Sequence, residues 1–139
     1  MAYKEISGNI FNTKAMAVVN TVNCVGAMGK GIALDFKLRF PEMFKEYQRI
    51  CFQHLLKPGQ ILPYKKSNPI ILNFAIKDDW KDPSKVEWIE ETLQKFVDNY
   101  KKIRNNIHCI SMDGSNEWWI ANRNHQRFNK EISLKIRRY

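Results

Sequence analysis

The segment that most restricts this chain is an apolar run that passes through a glycine-rich loop into an amphipathic stretch. Ala15 to Val22 reads Ala-Met-Ala-Val-Val-Asn-Thr-Val. A short run of small and β-branched apolar residues fits a strand buried on both faces. Gly26, Gly29 and Gly31 follow, and then Ile32, Ala33, Phe36 and Phe40 recur at the spacing of one helix face. A strand that enters a helix through glycines is the opening half of a βα unit. Glycine lacks the Cβ that would hold a ligand away from the backbone. The first turn of a helix adds unpaired N–H groups at the positive end of its dipole. Together these features suit a diphosphate. The loop is not a Walker loop, because no Gly-Lys-Ser/Thr ending is present, and its glycines miss the GxGxxG spacing. On spacing alone, a tight turn whose glycines serve helix–strand packing is the other reading.

The rest of the chain continues the alternation. Pro41 interrupts the first helix, and Glu42 to Leu56 resumes helical spacing through Met43, Phe44, Tyr47, Ile50 and Phe52. Lys57-Pro58-Gly59-Gln60 is a turn. Ile61–Tyr64 and Pro69–Ala75 read as strands, and Val86, Ile89, Leu93, Phe96 and Tyr100 share a helix face. Ile107 to Met112 reads as another inner strand, and Asp113 to Asn116 as a turn. Glu117 to Phe128 is predicted as a helix. Glu131 to Arg138 is predicted as a closing strand, from the alternation of Ile132, Leu134 and Ile136 with polar residues. Alternating strands and helices imply a parallel or mixed sheet covered on both faces. In such sheets ligands bind outside the carboxyl ends of the strands, which directs attention to residues 24–31.

Composition narrows the function classes. The 139 residues carry 23 Lys and Arg against 14 Asp and Glu, a formal charge of +9. Such a surface attracts nucleotides, nucleic acid or acidic proteins, although lysines also serve solubility alone. The excess is greatest at Lys130, Lys135, Arg137 and Arg138. A general nucleic-acid-binding domain ranks last, because basic and aromatic residues do not interleave along a strand. No apolar run approaches the roughly 18 residues of a membrane span, and the N-terminus lacks the apolar core of a secretory signal. A monomeric cytoplasmic protein with no membrane contact is expected. Cys24, Cys51 and Cys109 are widely spaced with no CxxC pair, so buried free thiols are expected rather than a zinc site or disulfide framework. No metal and no cofactor are expected.

Resemblance sharpens this reading. The run Asn20-Thr-Val-Asn-Cys-Val-Gly-Ala-Met-Gly-Lys-Gly-Ile-Ala-Leu34, continuing through Phe36-Lys-Leu-Arg-Phe-Pro-Glu-Met-Phe44, resembles macrodomains. It is most similar to the branch of terminal ADP-ribose protein glycohydrolase and the DNA ADP-ribosyl glycohydrolase antitoxins. Gly8-Asn9-Ile10 resembles the family's Gly-Asp-Ile motif. Ile71 to Trp80 resembles that branch's catalytic-lysine segment, and Lys85 to Glu90 the helix after it. The similarity runs over roughly residues 5–100 and weakens beyond 105.

The resemblance implies a single macrodomain over residues 1–139, a three-layer α/β/α sandwich with a central mixed, mostly parallel sheet. It implies an ADP-ribosyl glycohydrolase that binds ADP-ribose and removes it from protein carboxylates or DNA bases. An ADP-ribose-binding module without hydrolysis, or an ADP-ribose phosphate phosphatase, are the alternatives. ADP-ribose or an ADP-ribosylated macromolecule is the implied partner, with nucleic acid as a further candidate.

By position in the motif, Asn23 is expected to touch the distal ribose. Gly26 through Ile32, with Met28, Gly29, Lys30 and Gly31, is expected to hold the diphosphate and distal ribose, and Asn20 precedes it in the same motif. Asn9, with Ile10, stands on the adenine side, where the family has an aspartate. Asn9 accepts a hydrogen bond but lacks the charge, and a simple turn residue is its other reading. Lys77 is the expected catalytic residue. A lysine on an open surface is a poor nucleophile, whereas a cleft that disfavours the charged form frees the amine. Asp78 and Asp79 oppose this if they point inward. Asp113 is the first candidate for a partner acid and Glu117 the second. Gly114, Ser115 and Asn116 belong to a second ligand loop that is shorter than the family's, with one glycine where several are expected. Trp118 and Trp119 are read as core residues, and His108 and His125 as structural or surface residues.

Overall fold

The structure, a computed structural model, describes residues 3–12, 15, 17–103, 109–111 and 117–121. Among the described residues six strands form one sheet: β1 (Tyr3–Ser7), β2 (Ala17–Val22), β3 (Ile61–Tyr64), β4 (Ile70–Ala75), β5 (Cys109–Ser111) and β6 (Glu117–Ala121). Their order is β1-β6-β5-β2-β4-β3. The two parallel pairings, β5–β2 and β2–β4, lie at the centre. The flanking pairings β1–β6, β6–β5 and β4–β3 are antiparallel. The sheet is therefore mixed, with its parallel character concentrated where the expected βα unit begins.

Alternation along the central strands builds the layers. Ala17 and Val19 on β2, with Leu72 and Phe74 on β4 and Ile76 just beyond it, join Ile89, Leu93 and Phe96 of α3 (Val86–Ile103) in one apolar cluster. Val18, Val22, Ile71 and Ala75 point the other way. They pack with Met28, Phe36, Met43, Tyr47 and Cys51 from the glycine loop, α1 (Gly31–Arg39) and α2 (Pro41–Phe52). One strand can feed two cores because successive side chains leave opposite faces. Helices on both faces then make the expected α/β/α sandwich. No helix among the described residues is long and apolar enough to cross a membrane.

The α1–α2 break falls where the sequence places it. Arg39 ends α1 and Pro41 opens α2, because proline lacks the N–H that an uninterrupted helix would need. The predicted helix from Glu117 to Phe128 is corrected: Glu117–Ala121 is β6, paired to both β1 and β5. The run Glu-Trp-Trp-Ile-Ala is rich in residues that favour strands. The paired neighbours on either side decide between helix and strand for so short an apolar run. The edge strand β1 is a further element that the sequence pattern does not reveal. The predicted closing strand at 131–138 lies outside the described residues.

Phe36 is fully buried and meets Phe11 edge-on at 4.9 Å between ring centroids. Phe36→Ala is expected to lower unfolding free energy by about 3–5 kcal/mol in urea titration, by transfer and cavity costs together. A loss below about 1 kcal/mol would show that α1 does not seal this core.

Candidate functional site

Strands β2 and β4 run parallel and in register, from Ala17 opposite Ile70 to Val22 opposite Ala75. Both therefore end at the same level. The loops that follow are held together beyond the strands: the Ile76 amide donates to the Val22 carbonyl at 3.1 Å, and the Cys24 amide to the Asp78 carbonyl at 3.0 Å. Between the loops lies a cleft of about 700 Å³. Asn23, Met28, Gly29, Lys30, Gly31 and Ile32 line it on one side, and Ile76, Lys77 and Trp80 on the other. This is the carboxyl-end position at which doubly wound sheets take ligands.

The glycine-loop wall presents backbone. A Cβ built at Gly29 or Gly31 meets nothing within 4 Å. Gly31 opens α1 with φ +61°, a left-handed conformation suited to glycine. Lys30 at the N-cap makes no side-chain capping bond, and the first turn of α1 contains no acid. The amides of Gly31, Ile32 and Ala33 thus have no intrahelical acceptor and no side-chain cap. An anion in the cleft would meet them at the positive end of the helix dipole.

Asn23 shapes this wall. Its Oδ1 accepts from the Val25 amide at 3.1 Å and the Ala27 amide at 3.2 Å, while its Nδ2 donates to the Ala27 carbonyl at 2.8 Å. The Tyr47 hydroxyl, fully buried under α2, lies 2.8 Å from both the carbonyl oxygen and Oδ1 of Asn23, and donates its one proton between them. The Asn23 oxygen is spent inside the loop. One Nδ2 proton remains for a ligand. Tyr47 is a positioning residue that sequence reasoning missed: only the docking of α2 onto the loop brings it within reach of Asn23.

Asn20 sits one layer deeper. It is fully buried, and its Nδ2 donates to Asn73 Oδ1 at 3.1 Å and approaches the Met28 sulfur at 3.9 Å. Its Oδ1 has no hydrogen-bond partner among the described residues. Asn20 supports the floor through Met28 rather than lining the cleft. Gly26 is buried against Phe52, Gln48 and Cys51 at φ +85° and shapes the turn from behind. Ile10 is a core residue. Asn9 is exposed, and its Oδ1 accepts from the Phe11 amide at 3.0 Å, closing a local turn. None of Asn9, Ile10, Asn20 and Gly26 lines the cleft. Asp113, Gly114, Ser115 and Asn116 lie outside the described residues. Ala27 falls within the expected loop, whereas Thr21, Val22 and Ala33 line the cleft without having been singled out from the sequence as site residues.

Lys77 is half-buried at the cleft and makes no ion pair among the described residues. Neither neighbouring acid closes on it. Asp78 is exposed, and Asp79 Oδ1 accepts from the Lys81 amide at 3.1 Å. Among the described residues no three His, Cys, Asp or Glu side chains converge as a metal would require.

The Macro domain family model matches residues 19–112. The chain is a macrodomain. The DNA ADP-ribosyl glycohydrolase of Mycobacterium tuberculosis is 42% identical over 111 residues, which are 76% of this chain and 31% of that protein. The solved macrodomain of Thermus aquaticus DarG is 30% identical with a TM-score of 0.71, and the match covers 95% of this chain and 88% of that one. Thermosipho africanus DarTG, solved in complex with ADP-ribose, is 30% identical with a TM-score of 0.64, over 69% of this chain and 29% of that one. The chain spans about three tenths of the length of these DNA ADP-ribosyl glycohydrolases and of the related Thermosipho africanus fusion protein.

Behind the glycine loop, burial pushes the Cys24 thiol from its ordinary 9.0 up to about 12, with Cys51 and Asp78 adding to the shift. Burial also raises Tyr47 and Cys51. Below pH 9 the Cys24 thiol is protonated in folded and unfolded chains alike. Between 9 and about 12 the unfolded chain releases the proton and the folded chain keeps it, so stability falls as pH rises. Cys24→Ala is expected to flatten the fall of melting temperature across that window, with a residual slope from Cys51 and Tyr47. An unchanged slope would remove Cys24 from the alkaline transition.

Proposed function

We propose that this macrodomain binds ADP-ribose in the cleft between the β2–α1 and β4–α3 loops and hydrolyses its bond to a macromolecular acceptor. The single observation behind this reading is the pairing of an uncapped helix start and two open glycines with Lys77 across one cleft. The bare amides suit a diphosphate. The distal ribose then extends toward Asn23 and Lys77. Holding the reacting carbon against a fixed group converts binding energy into orientation. Lys77 acts at the anomeric carbon, attacking or polarising there. Hydrolysis replaces the bond from that carbon to its acceptor with a bond to water oxygen, and the acceptor leaves with a proton. Asp113 is the proposed source of that proton. DNA is the favoured acceptor, because the curated relatives from Thermus aquaticus and the two mycobacteria are named DNA ADP-ribosyl glycohydrolase.

Calorimetry with ADP-ribose is expected to give micromolar affinity, about −8 kcal/mol. Gly29→Glu is the decisive variant. Gly29 lies outside the left-handed region, and its Cβ would meet open space. The variant is therefore expected to fold with an unchanged melting temperature while placing a carboxylate among the anion-binding amides. Binding equal to that of the original protein would remove the loop from the ligand site.

Lys77→Ala is expected to lower turnover of base-linked ADP-ribose by about 100-fold or more and to leave ADP-ribose affinity within about threefold. Equal turnover would take Lys77 out of the mechanism. No turnover by either protein, with ADP-ribose still bound, would favour a reader of ADP-ribose. The single glycine in the stretch Met112 to Asn116, between β5 and β6, is the sequence feature that favours this second reading.

A further inference from the structure

Among the described residues lining the cleft, Trp80 is the aromatic one. Its side chain is 59% exposed, whereas Phe36, Tyr47, Phe74 and Phe96 are buried in the two cores. An indole left open at a cleft gives up the stabilisation that burial would bring. The backbone around it is nevertheless fixed. Asp79 Oδ1 accepts from the Lys81 amide at 3.1 Å, and the Asp79 carbonyl accepts from the Asp82 amide at 3.1 Å. The Cys24–Asp78 hydrogen bond at 3.0 Å ties the same loop to the glycine loop. Trp80 is thus an exposed ring on a pinned turn.

Its place in the cleft limits what it can touch. With the diphosphate on the glycine-loop wall and the reacting carbon at Lys77, the leaving acceptor lies beyond Lys77. Trp80 follows Lys77 by three residues, so the two Cα atoms are at most about 11 Å apart. Lys81 holds its ammonium over one face of the Trp80 ring, 5.4 Å from its centre, so stacking falls to the opposite face. An aromatic face beside a cation is the pairing with which proteins hold single-stranded nucleic acid: the ring stacks on a base and the cation meets phosphate. A carboxylate acceptor offers no ring to stack on.

Building on the glycohydrolase reading, we propose that Trp80 and Lys81 form an acceptor subsite, in which Trp80 stacks on the nucleobase that bears or adjoins the ADP-ribose. Trp80 is then a specificity residue that separates base-linked from carboxylate-linked substrates, while Lys77 serves both.

The test uses a single-stranded oligonucleotide bearing one base-linked ADP-ribose, a glutamate-linked ADP-ribosyl peptide and free ADP-ribose. Binding is compared between Lys77→Ala and Lys77→Ala/Trp80→Ala, so that the substrates survive, and turnover between the original chain and Trp80→Ala. Loss of Trp80 is expected to weaken oligonucleotide binding and kcat/KM by about 5- to 100-fold. Peptide turnover, ADP-ribose affinity and melting temperature should stay within about twofold or a degree. Trp80→Phe should retain most of the oligonucleotide preference. Oligonucleotide binding unmoved by Trp80→Ala, or weakened equally with peptide and ADP-ribose, would overturn the subsite while leaving the proposed function standing. Failure of the original chain to bind ADP-ribose at all would overturn both.

Discussion

The register of β2 with β4 is the constraint on which the site depends. Six residue pairs in parallel alignment bring both strands to an end at one level. Only then can the glycine loop and the Lys77 loop face each other across a cleft, with two backbone hydrogen bonds stitching them together beyond the strands. Strand register is specified wherever faces are buried, because a one-residue slip turns every side chain to the opposite face. Here both faces of the pair are buried in separate cores. The packing that stabilises the fold is therefore the same packing that sets the distance between the two walls.

A second layer fixes the shape of the glycine wall. Asn23 ties residues 25 to 27 into a compact turn, and Tyr47 anchors Asn23 from α2. They arrange backbone amides in advance, so that an anion meets donors already in place instead of ordering them on arrival. Cys51 is buried and Cys24 half-buried here, and burial raises both thiols above their ordinary range. Lys77 stands on the opposite wall, without an ion-pair partner among the described residues.

Much of this was legible in the sequence, for identifiable reasons. The β2–loop–α1 unit announces itself because apolar periodicity, glycines and helical spacing follow one another without interruption. The break at Pro41 and the amphipathic α3 are equally local. The failures are non-local. Glu117–Ala121 is a strand because β1 and β5 flank it, and β1 pairs with residues more than 100 positions away. Tyr47 carries no sequence mark of its role, since its partner lies 24 residues back and is reached only after α2 docks. Asn20 and Asn23 look alike in the motif. Strand alternation sends Asn20 into the layer beneath the cleft, whereas Asn23, just past the strand, is free to fold around its own loop.

The proposed function stands or falls with the amides at the β2–α1 junction as the anion wall of an ADP-ribose site. Amide NMR of the labelled macrodomain titrated with ADP-ribose tests it most directly. The resonances of Gly29, Gly31 and Ile32 are expected to move in a saturable way with Lys77, while those of Leu93 and Phe96 on the far face of the sheet stay still. Saturable binding that leaves Gly29, Gly31 and Ile32 unmoved would place the ligand elsewhere and contradict the account.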